Sequence, residues 1–145
     1  MRHEPLASNG RDKGGAEPGH IVYVIDDEQL LRQSSCLLIN ALGLSCVQYP
    51  DGPSFLRDVE TLTPGCILLD VMMNEMSGLD VQAEPQKRGI DWPIVFMSGR
   101  SDVPTVVQAV RKGAVEFLPK PFTDEELLAA LHRGFVTLRR REPGA

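Results

Sequence analysis

A chain of 145 residues, 42% hydrophobic and 24% charged, has the size and balance of one soluble domain around one core and leaves no room for two. Its formal net charge of −5 argues against general nucleic-acid binding, and the local run Arg139, Arg140 and Arg141 reads as a complement to the negative end of a last helix. No apolar run approaches the roughly 20 residues that cross a bilayer, and the amino terminus lacks the apolar core of a signal peptide, so the chain is expected in the cytoplasm.

The cysteines, Cys36, Cys46 and Cys66, form no Cys-x-x-Cys pair and lie near no cluster of histidines, so all are expected to be buried thiols. Residues 1–19 carry four glycines and two prolines among their charges and are expected to be a disordered extension. From His20 the character changes. The run Ile21 to Ile25 is apolar on both faces, as a buried parallel strand requires, and stops at Asp26-Asp27-Glu28. Glu28 to Leu42 keeps helical spacing through Leu30, Leu31, Ser34, Leu37, Leu38, Ala41 and Leu42, and Gly43 supplies a stop.

A strand is predicted over Leu44–Tyr49, and Asp51-Gly52-Pro53 opens a helix over Phe55, Leu56 and Val59. After Thr63-Pro64-Gly65 comes a second fully apolar run, Cys66 to Leu69, that ends on Asp70. Ser77-Gly78 caps a third helix towards Lys87, in which Pro85 predicts a kink or an end near Glu84. Pro93 to Ser98 is a fourth strand. Asp102 caps a helix with a stripe at Val103, Val106, Val107 and Val110, and Gly113 ends it. Val115 to Leu118 is the fifth strand. Thr123 to Glu126 forms a capping box for a last helix with Leu127, Leu128, Leu131, Phe135 and Leu138 on one face. Five strands alternating with five helices call for a doubly wound α/β fold, a five-stranded parallel sheet covered on both sides.

In such a sheet the carboxyl ends of all strands lie at one edge, where ligands bind. That edge collects Asp26, Asp27, Asp70, Ser98 and Lys120. Three carboxylates in one place repel one another unless a cation sits among them, and oxygen ligands with room for water suit Mg²⁺, commonly completed by phosphate oxygens. Asp70 could then attack phosphorus, with Lys120 and Ser98 meeting the equatorial oxygens, to give an aspartyl phosphate.

From about His20 to Leu138 the chain resembles the receiver domain of bacterial two-component response regulators. The resemblance rests on Asp26-Asp27, on Asp70 followed by Met73 and Met76-Ser77-Gly78, on Ser98-Gly99 and on Lys120-Pro121-Phe122. The stretch Ser98 to Pro104, with Ala109 to Phe117, is most similar to the FixJ-like branch. The resemblance implies a flavodoxin-like (βα)5 fold with strand order 2-1-3-4-5, a receiver domain over residues 20–141, a tail at 142–145 and no output domain in this chain. It implies Mg²⁺ on Asp26, Asp27, Asp70 and the backbone carbonyl of Met72, and phosphorylation of Asp70 by a histidine kinase or phosphotransfer protein, assisted by Ser98 and Lys120. Ser98 and Phe117 would act as the switch, Met72 and Arg100 would tune dephosphorylation, and Lys120–Pro121 would be cis. The output would be partner binding or homodimerisation through the helix 4–strand 5–helix 5 face, with no membrane and no direct nucleic-acid contact. Asn74 stands where the family usually has proline. The alternatives are an aspartyl-phosphate phosphohydrolase, whose Asp-x-Asp pair is missing at Asp70-Val71-Met72, and a constitutive interaction module with an idle site.

Overall fold

In the computed structural model, which describes residues 21–73, 76–99 and 103–141 apart from the Val103 side chain, the five apolar runs form one parallel sheet in the order β2-β1-β3-β4-β5. The strands are β1 (Ile21–Ile25), β2 (Ser45–Tyr49), β3 (Cys66–Asp70), β4 (Ile94–Ser98) and β5 (Glu116–Pro119). After them in turn come α1 (Gln29–Ala41), α2 (Gly52–Asp58, continued by a 3₁₀ turn Val59–Thr61), α3 (Gly78–Lys87), α4 (Val103–Arg111) and α5 (Asp124–Arg141). The extension expected over 1–19 and the tail at 142–145 lie outside the described residues, as do Asn74, Arg100 and Asp102.

Strand periodicity sorts the core into two layers. Tyr23, Ile25, Ile67, Leu69, Ile94 and Phe96 pack with Phe55, Val81 and Ala109 on the side of α2, α3 and α4. Val22, Val24, Leu68, Val95 and Met97 pack with Cys36 and Ile39 of α1 and with Leu127, Leu131 and Phe135 of α5. A slip of one residue in any strand would exchange the two layers, so the register that aligns the strand ends is fixed by burial on both faces.

Helix starts follow the expected side-chain chemistry. Asp51 accepts from the Ser54 amide at 2.8 Å, and Ser77 accepts from the Asp80 amide at 3.2 Å. Thr123 and Glu126 exchange bonds of 3.0 and 2.8 Å in a capping box. Gly43, at φ +87°, ends α1 in the left-handed conformation that glycine adopts freely.

Helix phases differ from the sequence expectation. On α1 the buried residues are Ser35, Cys36 and Ile39, whereas Leu30 and Leu37 are 80% and 72% exposed. The reason is local: Arg32 donates to the Asp26 carbonyl at 2.8 Å and to Gln48 Oε1 at 3.3 Å, and Cys36 is disulfide-bonded to Cys46. These contacts turn the face carrying Ser35, Cys36 and Ile39 against β1 and β2. Only Cys66 is a free thiol, so the expectation of three thiols is corrected, although all three sulfurs are buried. On α4 the buried residue is Ala109, while Val107 and Val110 are exposed. Gln82 of α3, fully buried, donates to the Ala109 carbonyl at 3.1 Å and holds α4 in that phase. Leu128 likewise turns outward on α5, with Ala130 and Gly134 taking places in the buried face. Pro85 does not end α3 at Glu84. The helix runs on to Lys87, where the Pro85 carbonyl accepts from Arg88 and Ile90 in the closing turn.

Gly78 sets how closely α3 approaches β3. A Cβ there would lie 2.7 Å from the Asp70 carbonyl oxygen and 2.8 Å from Val71 Cα. Both are backbone atoms that cannot step aside. Gly78→Ala is therefore expected to destabilise the fold by about 1–3 kcal/mol despite alanine's better helix propensity, read as a lower urea midpoint. An unchanged midpoint would show that the α3 terminus yields.

Candidate functional site

The carboxyl ends of β1, β3 and β5 each deliver a charged group to one cleft of about 440 Å³, lined by Asp27, Glu28, Asp70, Met72, Gly99 and Lys120. Asp26 is fully buried, Asp70 nearly so, and Asp27 is half-buried. Each of the three aspartates offers an oxygen within 4.8 Å of the others. The Asp26 carboxylate is steadied by the Glu28 amide at 2.9 Å and that of Asp70 by the Met72 amide at 3.1 Å. Both are Asx-type bonds that turn the chain out of its strand.

Lys120 closes the cleft from β5. Its Nζ lies 3.3 Å from Asp70 Oδ2, 3.6 Å from Asp26 Oδ2 and 3.9 Å from Glu28 Oε1. Its backbone amide donates to the Ser98 carbonyl at 2.7 Å, so β4 anchors the lysine that reaches past it. The Lys120–Pro121 bond is cis.

The charge balance is uneven. Burial pushes the Asp26 carboxyl above the usual carboxylate range; the Glu28 amide and Lys120 oppose this and the Asp70 carboxylate adds to it. Asp26 Oδ2, buried, accepts no hydrogen bond. With the Lys120 ammonium no nearer than 3.6 Å, this buried oxygen is only partly compensated, and a closer cation would lower its free energy. Three clustered acids with one such oxygen fit a small divalent ion with oxygen preference.

Ser98 is buried at the end of β4, one residue beyond Met97, which is in register with Asp70. Phe117 is half-buried against the core layer of α2, α3 and α4. The Met72 side chain is 59% exposed at the rim. Arg100 lies outside the described residues. The strand ends thus gather Asp26, Asp27, Asp70 and Lys120, Ser98 is buried at the end of β4, and Phe117 stands apart against the core.

Sequence reasoning overlooked Glu28, a third carboxylate partner of Lys120, and Arg32, which grips the carbonyl of Asp26. Glu28 was visible as the third acid in the run that ends β1. Arg32 carried no signal beyond being the one charged residue of α1.

The class is therefore a doubly wound α/β domain whose ligand edge is an acidic cleft closed by a lysine. Residues 22–132 match the family described as response regulator receiver domain. The response regulator protein TodT of Pseudomonas putida is 42% identical over 111 residues, covering 77% of this chain and 49% of TodT. The transcriptional regulatory protein FixJ of Bradyrhizobium diazoefficiens is 36% identical over 127 residues, covering 88% of this chain and 60% of FixJ. Among solved structures, that of the response regulator StyR superposes with a TM-score of 0.80 at 33% identity, over 87% of this chain and 63% of the StyR chain. The chain spans about half the length of the curated relatives it matches. It belongs to the response regulator receiver domain family of two-component systems and stands with the FixJ-like branch.

A divalent cation in the cleft should stabilise the fold by mass action. Mg²⁺ at a hundred times its dissociation constant is expected to add about 2.7 kcal/mol, measured as a rise in thermal midpoint that the double variant Asp26→Asn, Asp27→Asn loses. A wild-type midpoint unmoved by Mg²⁺ would remove the cation from the site.

Proposed function

We propose that this chain is a phosphorylation-dependent switch, in which Asp70 accepts a phosphoryl group from a histidine kinase or phosphotransfer protein. The observation that carries this reading is the Lys120 ammonium 3.3 Å from Asp70 Oδ2 within a cluster of three carboxylates. Such an arrangement collects positive charge where phosphoryl oxygens arrive and leaves a carboxylate as the nucleophile. Asp26, Asp27, Asp70 and the Met72 carbonyl would hold Mg²⁺, which supplies neutralisation of charge on the transferring group.

The residues of the chain divide the remaining work. A carboxylate oxygen of Asp70 forms the new bond to phosphorus while the bond from phosphorus to the donor nitrogen breaks, and the electron pair leaves with the imidazole. Lys120, held by its amide to β4, meets the oxygens of the transferring group, and the Ser98 hydroxyl takes another. Met72, at the rim of the cleft, and Arg100 are assigned to tuning the lifetime of the acyl phosphate. Phosphorylation favours the state in which Ser98 and Phe117 turn inward, a population shift in which the bound group selects one of two packings.

Two surfaces suit the traffic. Beside the acceptor, Leu31, Leu38, Pro121 and Phe122 line a groove of about 570 Å³ that also takes in Lys120. The exposed Leu30 and Leu37 share α1 with it, giving an apolar docking face for the donor's helices. On the far side, Val107 and Val110 are exposed on α4, the helix that leads into the edge strand β5. The α4–β5–α5 face is thereby assigned to partner binding or homodimerisation. Since the donor draws its phosphoryl group from ATP, the domain works in the cytoplasm.

Acetyl phosphate with Mg²⁺ is expected to add one phosphoryl group to the chain by intact mass, with none on Asp70→Asn and a rate about a hundredfold lower in Lys120→Ala. An adduct that survives Asp70→Asn would sink the assignment, and sustained turnover of phosphate esters would favour a phosphohydrolase. Beryllofluoride, standing in for the phosphoryl group, is expected to shift sedimentation towards a dimer. Val110→Glu should block the shift, and a mass unchanged in the wild type would count against dimerisation as the output.

A further inference from the structure

We propose that Cys36 and Cys46 form a reversible redox-modification site, whose disulfide pins α1 to β2 when a low-molecular-weight disulfide such as oxidised glutathione accumulates. The two cysteines are 10 residues apart in sequence, with Cα atoms 5.6 Å apart, a separation that a disulfide spans without backbone movement. They lie on a seam already tied one turn earlier. Arg32 and Cys36 are four residues apart on α1, Gln48 and Cys46 are two apart on β2, and Arg32 donates to Gln48 Oε1. The same Arg32 holds the carbonyl of Asp26, so the bond braces the helix that carries the acceptor cleft's first acidic loop.

Resting on the phosphoacceptor role proposed above, the domain works where glutathione is kept reduced. In that compartment protein disulfides are rare and, where present, are mostly transient or redox-sensing. The surroundings suit both states. The sulfurs sit at 3% and 1% residue exposure among Val22, Val24 and Ile39, where neutral thiols pack as small hydrophobes and need no partner. Cys66 stays outside the chemistry: it is fully buried beneath α5, where a Cβ on Gly134 would lie 2.6 Å from its sulfur, and burial pushes its thiol up to about 12. β2 is an edge strand, so local opening of the α1–β2 corner exposes the pair without unfolding the sheet centre.

Oxidation proceeds by two exchanges. One cysteine, its proton released to solvent, attacks a sulfur of oxidised glutathione. The glutathione S–S bond breaks, one glutathione leaves as thiolate, and a mixed disulfide remains on the protein. The second cysteine, deprotonated in turn, attacks the protein sulfur of that mixed disulfide and expels the second glutathione thiolate. Two electrons pass from the protein to glutathione, and the two released protons end on the glutathione thiols.

The wild-type chain, equilibrated in glutathione buffers from fully reduced to fully oxidised, quenched in acid, denatured and alkylated, reads the state of each cysteine by mass. With the cysteines Cys36, Cys46 and Cys66 present, three alkylations are expected at the reducing end and one at the oxidising end. Digestion of the oxidised form should yield a linked Cys36–Cys46 peptide. Amides of Ile39 and Val47 are expected to exchange about tenfold more slowly in the oxidised form. Three alkylations throughout, one throughout, or glutathione adducts in place of the linked peptide would overturn the proposal, and equal exchange in both forms would overturn the pinning. None of these readouts uses Asp70, so a failed thiol titration and a failed phosphorylation are told apart.

Discussion

The Lys120 ammonium is the contact on which the acidic edge of the sheet depends. A parallel sheet brings the ends of its strands together whether or not their side chains tolerate one another, and here β1 and β3 both end in buried acid. Lys120 lies 3.3 Å from Asp70 and 3.6 Å from Asp26, and the two carboxylates share its charge. It follows β5, which lies two positions from β3 and three from β1 in the order β2-β1-β3-β4-β5, so its side chain must cross the end of β4. That strand ends in Ser98 and Gly99, both small, and its Ser98 carbonyl fixes the lysine's own amide. A bulky residue at the β4 end would stand in the path of the ammonium.

One lysine does not balance the cluster. Glu28 also leans towards it at 3.9 Å, and Asp26 keeps a buried oxygen that accepts no hydrogen bond. The deficit in positive charge distinguishes the cleft from a closed ion pair and suits it to a cation. A self-sufficient buried pair would hold its acids shut, whereas an under-neutralised one gains free energy from an arriving cation.

Much of this edge was legible because strand ends and helix caps are local signals. An apolar run that stops on an acid, a threonine three residues before a glutamate, and an aspartate before glycine and proline each fix a boundary with nearby atoms only. The phases of α1 and α4 were not legible. Both helices carry apolar residues on more than one face, so periodicity alone favours the bulkiest stripe, and Leu30, Leu37, Val107 and Val110 were assigned inward. The structure buries Ser35, Cys36 and Ala109 there, since small residues permit a close approach to the sheet and since Arg32 and Gln82 bind partners remote in sequence. The pairing of Cys36 with Cys46 was hidden for a related reason: it depends on which face of α1 meets β2, the very quantity that periodicity misjudged.

The misjudged phases bear on function more than the correct boundaries do. Had the leucines of α1 and the valines of α4 gone into the core, the domain would present more polar helices on both sides of the acidic cleft. Instead the buried work is done by small residues and by side-chain hydrogen bonds, and larger apolar groups remain on the surface. Exposed leucine and valine gain nothing for the isolated fold, and contiguous apolar surface is the usual mark of a site that another molecule covers. On α1 such surface shares its helix with the groove that reaches Lys120, and on α4 it lies on the helix that leads into β5, the strand just before Lys120. Lys120 thus borders the α1 groove and directly follows the strand into which α4 leads.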